Sequence, residues 1–424
     1  MFSFERLKVL FKNNNVLVRN FSALTILQIS QYVFPLITFP YLVRVLEPKG
    51  YGLVAFITAF IGYFKIITDY GFNLSATKEI SRNRKNKEKL SEIFSSVITV
   101  KIILFVLSFF LLLPVVSVIP KFNQNSNLYF IAFISVVGSV LFPIWFFQGL
   151  ERMSFITIIN LIVKTLWVIS IFIFVKVKED LYLVLLLESL SSITIGIIGI
   201  MSVKYYWKIN LTFVGFKKIK KQFKESWYYF LSTISISFYT ISNVFILGLF
   251  VNYQIVGFFS AADKIRVAIQ NITAISGQTI FPHLSLKFKE SKELALHFIK
   301  KYLKIFGIIS FVLSLILFFF AKEIIYLVLG SSYGKSVILL KILSFLPFII
   351  FLSNIAGVQI MLNLDYKKEF TKIIFAAGII NIFLSFLFVP IFFEYATASV
   401  VVFTEIIVTL SMIKFLQKKK ITLA

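Results

Sequence analysis

Residues 62–72 read GYFKIITDYGF, a stretch inside a long apolar run that nevertheless keeps Lys65 and Asp69 four residues apart. Removing a charge from water is costly unless it is paired, so the solvent around this run decides what the two charges mean. The chain of 424 residues is 58% hydrophobic and 17% aromatic but only 15% charged, with a mean hydropathy of +0.90. Soluble domains are about 45–50% apolar and about 25% charged. Apolar stretches of about 20 residues, enough for a helix to cross a bilayer, recur along the whole length. The pattern is that of an all-α integral membrane protein.

The apolar runs predict twelve transmembrane helices, at 20–46, 50–76, 92–119, 128–148, 153–175, 181–204, 227–250, 255–284, 297–320, 336–361, 371–391 and 395–416. Their connections alternate in charge. Thirty lysines and arginines fall on the side holding the termini, among them the six between Lys78 and Lys89 and the seven between Lys204 and Lys224. Only seven, Arg44, Lys49, Lys121, Lys176, Lys178, Lys322 and Lys335, fall on the other side. Basic loops stay inside, so both termini are expected in the cytoplasm and the protein in the inner membrane. The formal charge of +25 is thereby read as topology, not as a nucleic-acid footprint. The first 19 residues lack an apolar core and a small-residue cleavage site, and read as a basic cytoplasmic leader. Without cysteine there is no disulfide framework, thiolate metal site or thiol nucleophile.

Shifting the first-half spans by about 206 residues lands them near the second-half ones, and Gly52 and Gly257 each follow a short outward loop. The spacing predicts two six-helix bundles of like orientation, 1–204 and 227–424, around a central cleft. A basic amphipathic linker, 205–226, joins them along the cytoplasmic leaflet.

Polar stripes run along particular spans. Thr58, Gly62, Lys65, Asp69 and Asn73 recur at helical steps in the second span, as do Asp263, Arg266, Gln270, Thr273 and Gly277 in the eighth, with Lys264 beside them. The first span offers Thr25, Gln28, Tyr32 and Thr38; the seventh offers Ser232, Ser235, Tyr239 and Asn243. Faces of this kind are expected to line the cleft, with Gln28, Tyr32, Asn73, Tyr239, Asn243 and Gln270 as its polar walls. Seven basic residues lie inside the spans, Lys65, Lys101, Lys164, Lys264, Arg266, Lys304 and Lys341, against four acids, Asp69, Glu188, Asp263 and Glu405. A charge at the bilayer centre costs at least about 2.5–3.5 kcal/mol, so each needs a reason.

Structural reasons compete with functional ones. Lys101, Lys304 and Lys341 lie near enough to span ends for their ammonium groups to snorkel. Lys65 and Asp69 can neutralise each other as an i,i+4 pair, and Glu188 and Glu405 can serve as partners of Lys164. Lys164 and the Asp263, Lys264, Arg266 group fall near mid-span and point to a functional cleft. His283, beside Pro282, reads as a boundary residue, and neither it nor His297 has metal-ligand spacing. No P-loop, nucleophile elbow or paired-carboxylate signature is present, and the short outward loops leave little room for a catalytic domain. Prolines at 35, 40, 114, 143, 282, 347 and 390 mark places where spans can bend. Surplus positive charge between low-dielectric walls concentrates anions, and a broad vestibule suits a large anionic head whose lipid tail stays in the bilayer.

Two segments carry a family resemblance. PLITFPYLVRVLEPKGYGLVAFITAFIGYFKIITDYGFNLSATKEISRNRKNKEKL (35–90) resembles the N-terminal signature of Wzx-type polysaccharide flippases of the multidrug/oligosaccharidyl-lipid/polysaccharide superfamily. VGFFSAADKIRVAIQNITAISGQTIFPHLS (256–285) resembles that family's eighth helix. One departure is Glu47, where relatives place glycine after Arg-Val-Leu.

The resemblance implies a flippase that moves undecaprenyl-diphosphate-linked oligosaccharide repeat units from the cytoplasmic to the outer leaflet for O-antigen or capsule assembly. Arg44, Lys65, Lys264 and Arg266 match its basic positions for cargo binding, and Lys164 joins them from the span reading. No ATP site is visible, so alternating access is expected to draw on a proton or sodium gradient through Asp69, Asp263 or Glu405, without an organic cofactor. A polysaccharide polymerase and a chain-length regulator are the protein partners such a pathway offers, and the internal repeat makes a working monomer reasonable. The rival readings are a multidrug or cation exporter of the same superfamily, whose cleft should be acidic, and a membrane polysaccharide polymerase or ligase, which needs outward catalytic loops.

Overall fold

A computed structural model describes the backbone of residues 15–421, with the side chains of 15–25, 27–29, 31–32, 232, 235–236, 238–240 and 282 outside the description. The described residues are helical throughout, with no strand among them. Eight helical stretches are long and apolar enough to cross a membrane, and the chain is a multi-pass membrane protein.

Two of these stretches contain sharp corners. Helix α1 (Asn15–Asp69) is broken at Glu47, with φ 56° and ψ 172°. Helix α16 (Lys367–Lys418) is broken at Phe393, with φ 51° and ψ −128°. Both corners fall where the hydropathy pattern separates two spans. Glu47 has the positive φ that favours glycine, the residue that the family resemblance leads one to expect there.

The chain divides into two compact units. The first comprises the described residues up to Tyr41 with Phe60–Thr233; the second comprises Leu42–Ala59 with Ile234–Ala424. In the first unit, α1 ends at Asp69, and after Tyr70 (φ 46°) and Gly71 (φ 74°) the short α2 (Phe72–Arg82) begins. Gly71 lies so close to α9 (Phe216–Thr240) that a Cβ on it would stand 2.7 Å from Phe230 N. Helix α3 (Lys87–Val118) starts on an Asn86 cap whose side chain accepts from Lys89 N, which satisfies an otherwise orphaned donor. After the single turn of α4 (Pro120–Asn123), the expected span 128–148 is divided into α5 (Ser126–Leu141) and α6 (Ile144–Gly149). Pro143 causes the division, because it forces Phe142 into extended backbone (ψ 107°). Helices α7 (Met153–Phe174) and α8 (Leu181–Tyr205) complete the membrane part of this unit. Tyr70, Phe72, Trp145, Phe146 and Phe147 are buried together in its core, with Phe230 packed against them.

The expected linker is less separate than its composition implied. Residues 207–215 are irregular, but α9 runs unbroken from Phe216 into the span beyond. Gln222 donates to Glu79 at 2.7 Å and Ser226 meets Ser75 at 2.7 Å, which tethers the basic helix to α2.

In the second unit, α10 (Ser242–Phe250) precedes α11 (Tyr253–Glu290), which is capped by Asn252. Helices α12 (Lys292–Phe319), α13 (Ala321–Val328), α14 (Ser336–Leu343), α15 (Leu346–Asn354) and α16 follow. Between α15 and α16, Ile355–Met361 is wound as a π-helix. Gln359, 1% exposed, donates from this turn to the carbonyl of Gly277 at 3.0 Å. A buried amide thus ties the wide turn to α11, and Leu284, Tyr302, Ile360 and Met412 pack around the junction.

Candidate functional site

The polar stripe of the first unit is anchored from an unexpected direction. Lys101, expected to snorkel, is 1% exposed. Its Nζ donates to the Ser139 carbonyl at 2.9 Å and lies 3.5 Å from Asp69 Oδ1. The other Asp69 oxygen accepts from Asn73 at 2.7 Å across the helix break. The lysine thus turns inward to partners on neighbouring helices instead of toward a helix end. Asp69 is accordingly paired with Lys101 and not with Lys65.

Lys65 makes no ion pair or side-chain hydrogen bond among the described residues, and it lies within electrostatic reach of Glu188 and Lys164. Lys164 on α7 donates to both Glu188 oxygens on α8, at 3.0 and 2.9 Å, and stands 4.9 Å from the centre of the Trp167 ring. Of the two expected partners of Lys164, Glu188 is found there. The pair is 27% and 38% exposed, so it is not sealed in the core.

In the second unit, α11 separates charges that the sequence grouped together. Arg266 is 8% exposed; its Nε donates to Asp263 at 3.0 Å and its Nη1 to Gln270. Thr273 on the same face is also buried. Glu405 on α16, 8% exposed, lies within electrostatic reach of Arg266, not of Lys164. The face carrying Arg266 is therefore packed inside the unit. Lys264, two residues away and so about 160° round the helix, is exposed and has no ion pair among the described residues. Lys65 in the first unit and Lys264 in the second are thus cations of the polar stripes that no described acid pairs.

The remaining expected site residues are placed as follows. Arg44 is exposed, and its guanidinium donates to the carbonyls of Val328 (3.2 Å) and Leu327 in the last turn of α13. Asn243 is buried on α10. Gln28, Tyr32 and Tyr239 lie outside the described side chains. Lys304 and Lys341 are exposed, as snorkelling requires. His283 packs edge-on to Phe298 at 5.3 Å. No group of three or more possible metal ligands exists among the described residues.

This helical architecture, broken at membrane depth and carrying charged residues on its spans, defines a membrane protein with the fold of MOP-superfamily transporters. A structure of the lipid II flippase MurJ in an inward closed conformation matches with TM-score 0.72 and 17% identity, over 92% of this chain and 87% of that one. An inward-facing multidrug resistance MATE family transporter of the MOP superfamily matches with TM-score 0.66 and 13% identity, over 94% and 98% of the two chains. More specifically, the chain belongs to the polysaccharide biosynthesis protein family, whose profile matches residues 17–288. It is 34% identical to the "Putative O-antigen transporter" of Escherichia coli (strain K12), over 96% of this chain and 99% of that protein. A protein of the same name from Shigella dysenteriae is 30% identical over 93% and 99% of the two lengths.

Proposed function

We propose that the protein is a flippase that carries undecaprenyl-diphosphate-linked oligosaccharide repeat units from the cytoplasmic to the outer leaflet of the inner membrane, for O-antigen or capsule assembly. The observation that carries this reading is that Lys65 and Lys264, on the polar stripes of expected spans, have no ion pair among the described residues, in a chain whose relatives are named as O-antigen transporters. An unpaired lysine inside a span is a liability unless an anionic partner arrives. A diphosphate is such a partner for either lysine.

In this reading the chain crosses the membrane twelve times, in six-helix bundles 1–204 and 227–424 joined by the basic segment 205–226, with both termini cytoplasmic. Transport proceeds by alternating access driven by a proton or sodium gradient. One charge moved through 100 mV supplies about 2.3 kcal/mol, enough to bias a cycle. Of the acids inside the spans, Glu405 is the better carrier of the coupling ion, because Asp69 is held by Lys101 and Asp263 by Arg266. A multidrug exporter shares the fold, but the sequence relatives named as O-antigen transporters favour the flippase reading over it.

Deletion of the gene tests the assignment. Lipid-linked repeat units should accumulate on the cytoplasmic leaflet and surface polymer should disappear. Normal surface polymer after deletion would sink the flippase reading, and flipping in proteoliposomes that ignores both pH and sodium gradients would remove the coupling alone.

A further inference from the structure

The irregular segment 207–215, between α8 and α9, is fastened to α3. Ser91 Oγ donates to the Asn210 carbonyl, and Thr212 N donates to Ser95 Oγ at 2.9 Å. Ile209 and Val214 are buried. With these two turned inward, Leu211 and Phe213 turn outward, and Phe213 is 100% exposed. Phe216, the first residue of α9, is exposed as well. Apolar surface left in water is unfavourable, and a segment held on both sides of Leu211 cannot fold these side chains away. The same contacts set its depth. Ser95, and Glu92 one turn before it, lie near the start of α3, and Lys218 Nζ stands 3.0 Å from Glu92. The exposed apolar residues of α3 begin at Ile102, seven residues or about 10 Å beyond Ser95. That step is comparable to a headgroup layer, about 5–8 Å deep on each side of the hydrocarbon. Leu211, Phe213 and Phe216 therefore stand at the boundary of membrane and water.

The start of α9 adds charge to these side chains. Its inward face packs Ile219 and Phe223 on the core and ties Gln222 and Ser226 to α2. The opposite face carries Lys217, Lys220 and Lys224 at steps of three and four residues, all exposed. Lys218 is taken by Glu92, and Lys221 by Glu79 and Glu225. Lys217, Lys220 and Lys224 have no ion pair among the described residues. Between Lys204 and Tyr228 the sequence holds one acid, Glu225. Uncommitted cations beside exposed apolar side chains, at this depth, match an anionic bilayer surface, which draws basic residues and takes up apolar ones.

We propose that Leu211, Phe213 and Phe216, together with Lys217, Lys220 and Lys224, form a docking surface for the anionic phospholipid headgroups of the cytoplasmic leaflet. The apolar side chains insert, and the lysines hold the headgroup phosphates. This surface is separate from any cargo site and stands whether or not the flippase reading does.

The chain has no cysteine, and a Cβ at Gly215, between Phe213 and Phe216, meets nothing within 4 Å. Gly215→Cys carrying a bimane fluorophore therefore reports on the patch in the full-length protein, reconstituted in nanodiscs. The discs hold one fixed mixture of phosphatidylglycerol and phosphatidylcholine, with bromine on the tails of one lipid or the other. Brominated phosphatidylglycerol should quench the label about fivefold more strongly per lipid, the local enrichment that one lysine near an anionic surface produces. Combined Lys217→Gln, Lys220→Gln and Lys224→Gln should abolish the preference, and the three corresponding changes to Arg should keep it. Equal quenching by the two lipids, with the lysines intact, would overturn the headgroup site. Quenching by neither, the result if the patch faces water or a protein partner, would overturn membrane docking altogether. Both of these outcomes are read on protein with its lysines unchanged, so poor folding of the glutamine variant would not shelter the proposal. A preference that survives in a folded glutamine variant would overturn the role of the three lysines.

Discussion

Gly52 and Gly257 meet within the second unit. A Cβ added to Gly52 would stand 1.8 Å from the Tyr253 carbonyl and 2.5 Å from the Gly257 nitrogen, and one added to Gly257 would stand 1.9 Å from the Pro48 carbonyl. Each glycine follows a short connection, and the fold uses both to bring backbone against backbone.

Gly52→Ala and Gly257→Ala should each destabilise the protein by at least the about 1–3 kcal/mol of an overpacked core site. Because both changes strain the same crossing, the double variant should lose less than the sum of the two singles. Thermal unfolding in detergent reads this directly, and full additivity would show that the crossing is not shared.

Breaking the Lys101–Asp69 pair from one side should be worse than removing both charges. Lys101→Met leaves Asp69 without its cation, and Asp69→Asn leaves a buried ammonium; such losses run to about 3–5 kcal/mol in fully buried pairs. Asp69 is partly exposed, so the lower end of that range is expected. The double variant Lys101→Met/Asp69→Asn should recover part of the loss. A double-mutant cycle with no coupling term would contradict the pairing.

Lys65→Gln and Lys264→Gln should each slow flipping of a diphosphate-linked cargo about tenfold, equivalent to about 1.4 kcal/mol, with little change in folded yield because neither lysine supports a partner. The proteoliposome rate and the size-exclusion profile together check this. Equal losses of yield and rate would assign the lysines a structural role.

Arg44→Lys keeps the charge but loses the planar fork that reaches two carbonyls. We expect a stability loss of about 1 kcal/mol, with transport falling only in step with the folded fraction. A selective loss of transport would place Arg44 in the cargo-binding set.

The parts of this fold that were legible in the sequence are those governed by single-chain rules. Span lengths follow from hydropathy, the division at Pro143 from the lost helical geometry before a proline, and the outer corner at Glu47 from the charge and turn pattern around it. The charges were harder where a side chain's partner lies on another helix, as for Lys101 and Lys164. Lys101 and Asp69 are 32 residues apart, and nothing local to either one names the other. The separation of Lys264 from Arg266 is different: a two-residue step always puts side chains on opposing faces, so the sequence already held that answer. Arg44 shows the remaining difficulty. Its acceptors are backbone carbonyls of α13, which every residue possesses and no motif can reveal.

The π-wound turn at Ile355–Met361 constrains chain length as well as composition. Deleting one residue there would let the span revert to ordinary 3.6-residue winding with its downstream phase nearly kept, but the wide turn that aims Gln359 at the Gly277 carbonyl would be lost. A bilayer would tolerate the shorter helix, whereas the amide tether would not. Among natural variants of this protein, gaps in that segment should be as rare as substitutions of the glutamine itself.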